Sequence, residues 1–207
     1  IVQSQLAAYE MYRHDLISVG VDIYNIEAEA LGCTVIYYED DTLPSVANTV
    51  IHEPSDLKNL ALPCPFTDGR MPLFLEACEE IQAKIGGEVP VSGTIVGPFT
   101  LAVILRGYEN FLMDLIYEEE FAMEQLKFAG EVGLRYAKAF LGKGLDLTVN
   151  ESWIAPPLLS PAIFRDKIFA AEKSLISNIK TAGATYVAFI SGGNTTPIAE
   201  YLVQTGA

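Results

Sequence analysis

Three short, largely apolar runs constrain this chain more than any other feature: residues 89–95, 145–149 and 186–190. Long segments with helical spacing lie between them. Strands that are apolar along their length and alternate with helices pair in parallel, through right-handed crossovers, with helices covering the sheet. The chain is therefore expected to be α/β, either a doubly wound sheet or a (β/α)8 barrel. A complete barrel takes about 250 residues. This chain has 207 and begins at Ile1, so the expectation is one domain, residues 1–207, holding part of a barrel and incomplete at both ends.

The remaining pattern fills in around those runs. Gln3–Val19 reads as a helix closed by Gly20, Val21–Ile26 as a short strand, Glu27–Leu31 as a helical turn or two, and Thr34–Tyr38 as a strand. Residues 39–70, broken by Pro44, Pro54, Pro63 and Pro65, read as a long excursion of loops with short pieces. Helices are expected at Pro72–Ile85, from Thr100, at Glu118–Leu141, from Ser160-Pro161 to about Ala182, and from Thr196-Pro197 to Gly206. Proline suits the first turn of a helix and glycine its end. Residues 89–105 carry no charge, but Pro90, Gly93, Gly97 and Pro98 make them strand, turn and helix rather than a membrane span.

Composition narrows the function classes. With 27 acidic and 13 basic residues the net charge is −14, which repels phosphate backbones and anionic lipid, so no nucleic-acid or membrane partner is expected. Cys33, Cys64 and Cys78 are too few and scattered for a disulfide framework and read as reduced thiols of a cytoplasmic protein. His14 and His52 are the only histidines, which leaves little for a His-rich metal site.

In either architecture ligands bind at the carboxyl ends of the strands. That rule selects Asn25, Glu27 and Glu29, then Gly97-Pro98-Phe99-Thr100, then Asn150-Glu151-Ser152-Trp153, then Ser191–Thr196. Glu151 follows an apolar strand, where a desolvated carboxyl can act as acid, base or metal ligand; otherwise it is a loop acid or a helix cap. Glu27 and Glu29 cannot face the same way on a helix, and Asn25 and Glu27 either line a site or cap. The Gly192, Asn194 and Thr195 loop, entering a helix, could hold an anion on its N–H groups or be a plain turn. Phe99 walls a pocket or plugs the core. Tyr37, Tyr38, Glu39, Asp40 and Asp41 read as a solvated rim, and Cys64 as incidental.

Five blocks, GVDIYNIEAEALGC (20–33), DGRMPLFLEA (68–77), VSGTIVGPFTLA (91–102), NESWIAPPLLSPAIF (150–164) and ISGGNTTPIAEYLVQTGA (190–207), together resemble the uroporphyrinogen decarboxylase superfamily, and within it the corrinoid (methylcobalamin)-dependent methyltransferases. The resemblance implies a (β/α)8 TIM barrel of the uroporphyrinogen decarboxylase type, of which the opening strand and last units are absent here. It implies methyl transfer in C1 metabolism between a small methylated substrate and a corrinoid carried by a partner protein. A tetrapyrrole decarboxylase is the alternative, and a non-catalytic binding module a second one. The methyltransferases carry His-x-Cys, followed by GNTTPI, where this chain reads Phe189-Ile190-Ser191 with one extra glycine. Neither Phe189 nor Ser191 supplies imidazole or thiolate, so no zinc is expected on them. On this reading Glu151 is the catalytic residue and faces the barrel mouth, with a substrate such as an aryl methyl ether or methylamine. Asn25, Glu27, Gly97, Phe99, Asn150, Ser191, Gly192, Asn194 and Thr195 bind the substrate.

Overall fold

A computed structural model describes residues 1–20, 22, 24–40 and 42–207. Asp41 of the expected rim, and Val21 and Ile23 of the expected 21–26 strand, lie outside them. The elements run α1 (Val2–Tyr12), β1 (Ile17–Val19), α2 (Asn25–Ala30), β2 (Val35–Ile36), β3 (Ser45–Val46), α3 (Pro54–Asn59), α4 (Met71–Ile85) and β4 (Val91–Val96). They continue with α5 (Pro98–Arg106), α6 (Tyr108–Tyr117), α7 (Glu119–Leu141), β5 (Asp146–Glu151), α8 (Pro161–Ile163), a π-helical turn (Phe164–Ile168), α9 (Phe169–Thr181), β6 (Val187–Ser191), a 3-10 turn (Thr196–Ile198) and α10 (Ala199–Gln204).

The four longer strands form one sheet in the order β1-β4-β5-β6, every neighbour parallel. That order follows the chain without reversal, so the described strands hold no switch point of the doubly wound kind; of the two architectures the apolar runs left open, this is a stretch of barrel wall. The first expected helix is corrected: α1 stops at Tyr12, where Arg13 takes a left-handed φ of 49°. Ile17 and Val19 become β1 because they pair with Val91 and Gly93 and are fully buried. The strand expected at 21–26 gives way to α2 from Asn25. Thr34–Tyr38 yields only the two residues of β2, in an antiparallel hairpin with β3.

Two-residue alternation sorts the sheet into faces. Ile17, Val19, Val91, Ile95, Leu147, Val149 and Val187 pack into one core with α4, α7 and α9. Burying each such side chain contributes about 1.5–3 kcal/mol. Gly93 is part of that face, and a Cβ there would stand 2.4 Å from the Phe140 ring of α7. The opposite face is small and polar: Ser18 pairs with Thr94 at 2.9 Å and Ser92 with Thr148 at 3.0 Å. Among the described residues no helix is long and apolar enough to cross a membrane.

Candidate functional site

The polar face opens, at the carboxyl ends of the strands, into a cavity of about 260 Å³. Ser18, Thr94 and Asn150 come to it from β1, β4 and β5, Ile190 from β6, and Glu27 and Tyr24 from the α2 segment. Strand β1 ends opposite Gly93. Beyond that end the Val96 N–H donates to Glu27 Oε1 at 2.8 Å. Glu27 is buried, and desolvation pushes its carboxyl up to about 7 against the opposing Val96 bond. Glu29 turns away from it, as the helical spacing requires, and accepts from Arg70 Nε at 2.5 Å. Arg70 also pairs with Asp22.

Glu151 lies elsewhere, which corrects the expectation that its carboxylate faces the mouth. It has the parity of Leu147 and Val149, so it points into the helix layer, where it is fully buried. Phe99 and Thr100 each donate a backbone N–H to it at 3.0 Å, and the Thr100 hydroxyl donates as well. These are the orphan donors at the start of α5, which a carboxylate satisfies with its charge on the helix dipole. Thr100 Oγ1 in turn accepts from Ser152 N at 2.9 Å, locking the strand end to the helix. Glu172 of α9 lies against this carboxylate, fully buried, with no hydrogen-bond partner for either oxygen among the described residues. Burial, then the Glu151 charge, pushes the Glu172 carboxyl well up, while Glu151 serves as the cap.

The other expected residues divide. Glu27 and Asn150 share the cavity. Asn25 faces a second, open cleft of about 850 Å³ with His52, Tyr108 and Trp153, and its Nδ2 braces Asp22 at 2.8 Å and the Pro44 carbonyl at 3.0 Å. Gly97 is required by Glu151: a Cβ there would stand 2.1 Å from Oε1. Phe99 plugs the core, fully buried edge-on to Phe111. Ser191 shares the parity of Phe189, which packs among the helices. In the expected anion-holding loop three donors are already engaged: Gly192 N donates to the Glu151 carbonyl at 3.3 Å, Asn194 N to Pro156 O at 3.4 Å, and Thr196 N to Asn194 Oδ1 at 3.2 Å. Thr195 is half-buried in that loop, outside the cavity lining. Sequence reasoning passed over Ser18, Asp22, Tyr24, Thr94 and Tyr136, all in the cavity lining.

The extra glycine also resolves the register of the His-x-Cys position. Counted back from Gly193–Ile198, it falls on Ile190 and Gly192, and Ile190 is the side chain that reaches the cavity. Neither that pair nor Phe189 and Ser191 offers imidazole or thiolate, so the residues present do not fit a zinc ion.

Comparison with known proteins agrees with this architecture. A methylcobamide:CoM methyltransferase MtbA of Methanosarcina acetivorans is 27% identical over 201 residues, covering 97% of this chain and 58% of its own length. The MtaA enzyme of Methanosarcina barkeri is 31% identical over 161 residues, covering 77% and 47%. A uroporphyrinogen decarboxylase of Carboxydothermus hydrogenoformans is 27% identical over 172 residues, covering 79% and 47%. The solved structure of a methyltransferase from Methanosarcina mazei superposes with a TM-score of 0.87 at 26% identity, covering 98% of this chain and 58% of that one. The chain thus spans about half the length of the curated relatives it matches. The family model for uroporphyrinogen decarboxylase (URO-D) matches residues 1–207: with its parallel β/α wall and its cavity at the strand ends, the chain belongs to the uroporphyrinogen decarboxylase family.

Proposed function

We propose that this chain carries the substrate cavity of a cytoplasmic methyltransferase, which moves a methyl group between a small methylated substrate and a corrinoid protein. The observation that carries the reading is the cavity itself, small at about 260 Å³ and built at the strand ends of a wall that superposes on a methyltransferase. The lining of this cavity is built from small and polar side chains, Ser18, Thr94 and Asn150, with Glu27. Curated relatives named for methylcobamide-linked transfer support the same choice.

On this reading Glu27 is the acid–base or anchoring group, with Asn150, Ser18 and Thr94 orienting the substrate. The corrinoid, held by the partner, supplies the cobalt that takes or gives the methyl group. Glu151 acts only through α5, as a positioning residue. The test adds full-length protein and methylated donors to a reduced corrinoid and follows the change in the cobalt spectrum. A donor-dependent conversion to the methylated form is the expected result. Porphyrinogen binding with release of carbon dioxide, and no methyl transfer, would replace the reading with the decarboxylase.

A further inference from the structure

We propose that Glu151 and Glu172 share one proton, which clamps α9 to the joint between β5 and α5 and releases it as pH rises. Glu151 comes from the last position of β5 and Glu172 from the first turn of α9. Both are fully buried by the described residues themselves, and their carboxyl groups are in contact. The donors around them are unequally divided. Glu151 accepts the Phe99 and Thr100 N–H groups and the Thr100 hydroxyl. Neither oxygen of Glu172 receives a donor among the described residues. The Phe99 N–H, which also lies near it, is already given to Glu151.

An ionised carboxylate only accepts. Two of them in contact away from water set like charges together and leave Glu172 unsatisfied. One proton removes both costs. On Glu172 it makes an O–H that donates to Glu151, and Glu151 stays ionised for the donors of α5. Such a pair titrates as a unit. The charged groups on the neighbouring elements are engaged elsewhere. Lys127 and Glu131 of α7 line an outer groove with Lys167, which pairs with Glu119, as Arg165 does with Asp166. Lys173 lies over the Phe169 ring, and Lys180 donates to the Gly206 carbonyl. Arg106 of α5 is held by Asp114, and Asp146 of β5 by the Thr185 and Tyr186 N–H groups. Glu200 of α10 is exposed, and β6 carries no charged side chain. Of the titratable rings, Tyr136 of α7 donates to the Met71 carbonyl and Tyr201 of α10 stands edge-on to Phe164 and Phe169.

The experiment is urea denaturation of the full-length protein and of Glu172→Gln, at about pH 6 and about pH 8. Gln keeps the shape and an N–H donor for Glu151 but has no proton to lose. A native pair that keeps a proton the unfolded carboxyls have released loses stability as pH rises, by roughly 10-fold in the folding constant per pH unit. The wild-type folding constant, taken relative to that of the variant, should therefore fall at least ~10-fold over this range. Glu27 titrates in both proteins and cancels. An unchanged ratio would overturn the proposal. So would a ratio that rises with pH, which is the sign of a cation held between two carboxylates. Amide exchange reads the clamp itself. At about pH 8 the α9 amides of Leu175, Ile176 and Ile179 should exchange faster in wild type than in Glu172→Gln, and at about pH 6 equally; equal protection at both would overturn the release of α9. Should the variant fail to fold, calorimetric unfolding of the wild type at about pH 6, in buffers of different ionisation heat, should release roughly two protons, one from Glu27 and one from the pair. Release of one or none overturns the shared proton. Each readout is independent of methyl transfer.

Discussion

Replacing Glu151 by Gln separates a helix cap from a proton donor. The carboxylate accepts the Phe99 and Thr100 N–H groups, each at 3.0 Å, and the Thr100 hydroxyl. Gln keeps one accepting oxygen and turns an amide NH2 toward donors that then have no acceptor. Hydrogen bonds to a charged group contribute about 1.5–3 kcal/mol, and a stranded buried donor costs on the order of 1–3 kcal/mol. The expected loss is therefore about 2–4 kcal/mol, a large share of the roughly 5–15 kcal/mol that holds a domain together. With a urea slope of about 2 kcal/mol per molar, the middle of the usual range, the unfolding midpoint should fall by roughly 1–2 M. Methyl transfer per folded molecule should stay within a few-fold of wild type, because the side chain faces α5 and α9 and not the cavity. The opposite pair of results, an unmoved midpoint with a rate reduced by the roughly 10²–10⁴ typical of a lost proton donor, would refute this account.

Gly97→Ala should destabilise by about 1–3 kcal/mol, the usual cost of overpacking, since its Cβ would displace the Glu151 carboxylate; a thermal melt equal to wild type would contradict the close approach. Glu27 has its folded-state pKa raised from 4.5 to about 7, so its stabilising contribution is full below about 4.5 and is lost as pH rises toward 7. By linkage that is on the order of 3 kcal/mol. Glu27→Gln keeps an acceptor for Val96, so denaturation at pH values on either side of that window should show a flatter profile, and parallel profiles would sink the assignment. Chelation should leave methyl transfer within about two-fold, since the strand end lacks zinc-binding side chains. One tightly bound zinc per chain, lost in Ser191→Ala, would show otherwise.

The sheet was legible in sequence where apolar runs stood alone. Residues 91–96, 146–151 and 187–191 form β4, β5 and β6 within two residues of the expected bounds. Strand β1 was not. Ile17 and Val19 continue the apolar spacing of α1, and only their pairing with Val91 and Gly93 makes them a strand. Tertiary pairing overrides local pattern in a segment that short. Helix α6 lacked a sequence signal of its own, because Gly107, with φ 88°, breaks what would otherwise read as one run from α5.

The site misled for a different reason. Position at a strand end was read correctly, but parity was not. Leu147, Val149 and Glu151 share one face, while Asp146, Thr148 and Asn150 share the other, and that alternation was present in the sequence. Glu151 and Glu27 then show why a raised carboxyl pKa alone does not identify a reacting group. Burial pushes both up to about 7. Glu151 is held by three donors on two residues at the start of one helix, an arrangement whose product is a fixed joint between β5 and α5. Glu27 takes a single bond from Val96 and stands in the lining of a cavity whose other charged group, Asp22, is already paired. Glu151 caps α5 and touches no cavity, whereas Glu27 stands in the first turn of α2, accepts from Val96 and also lines the cavity.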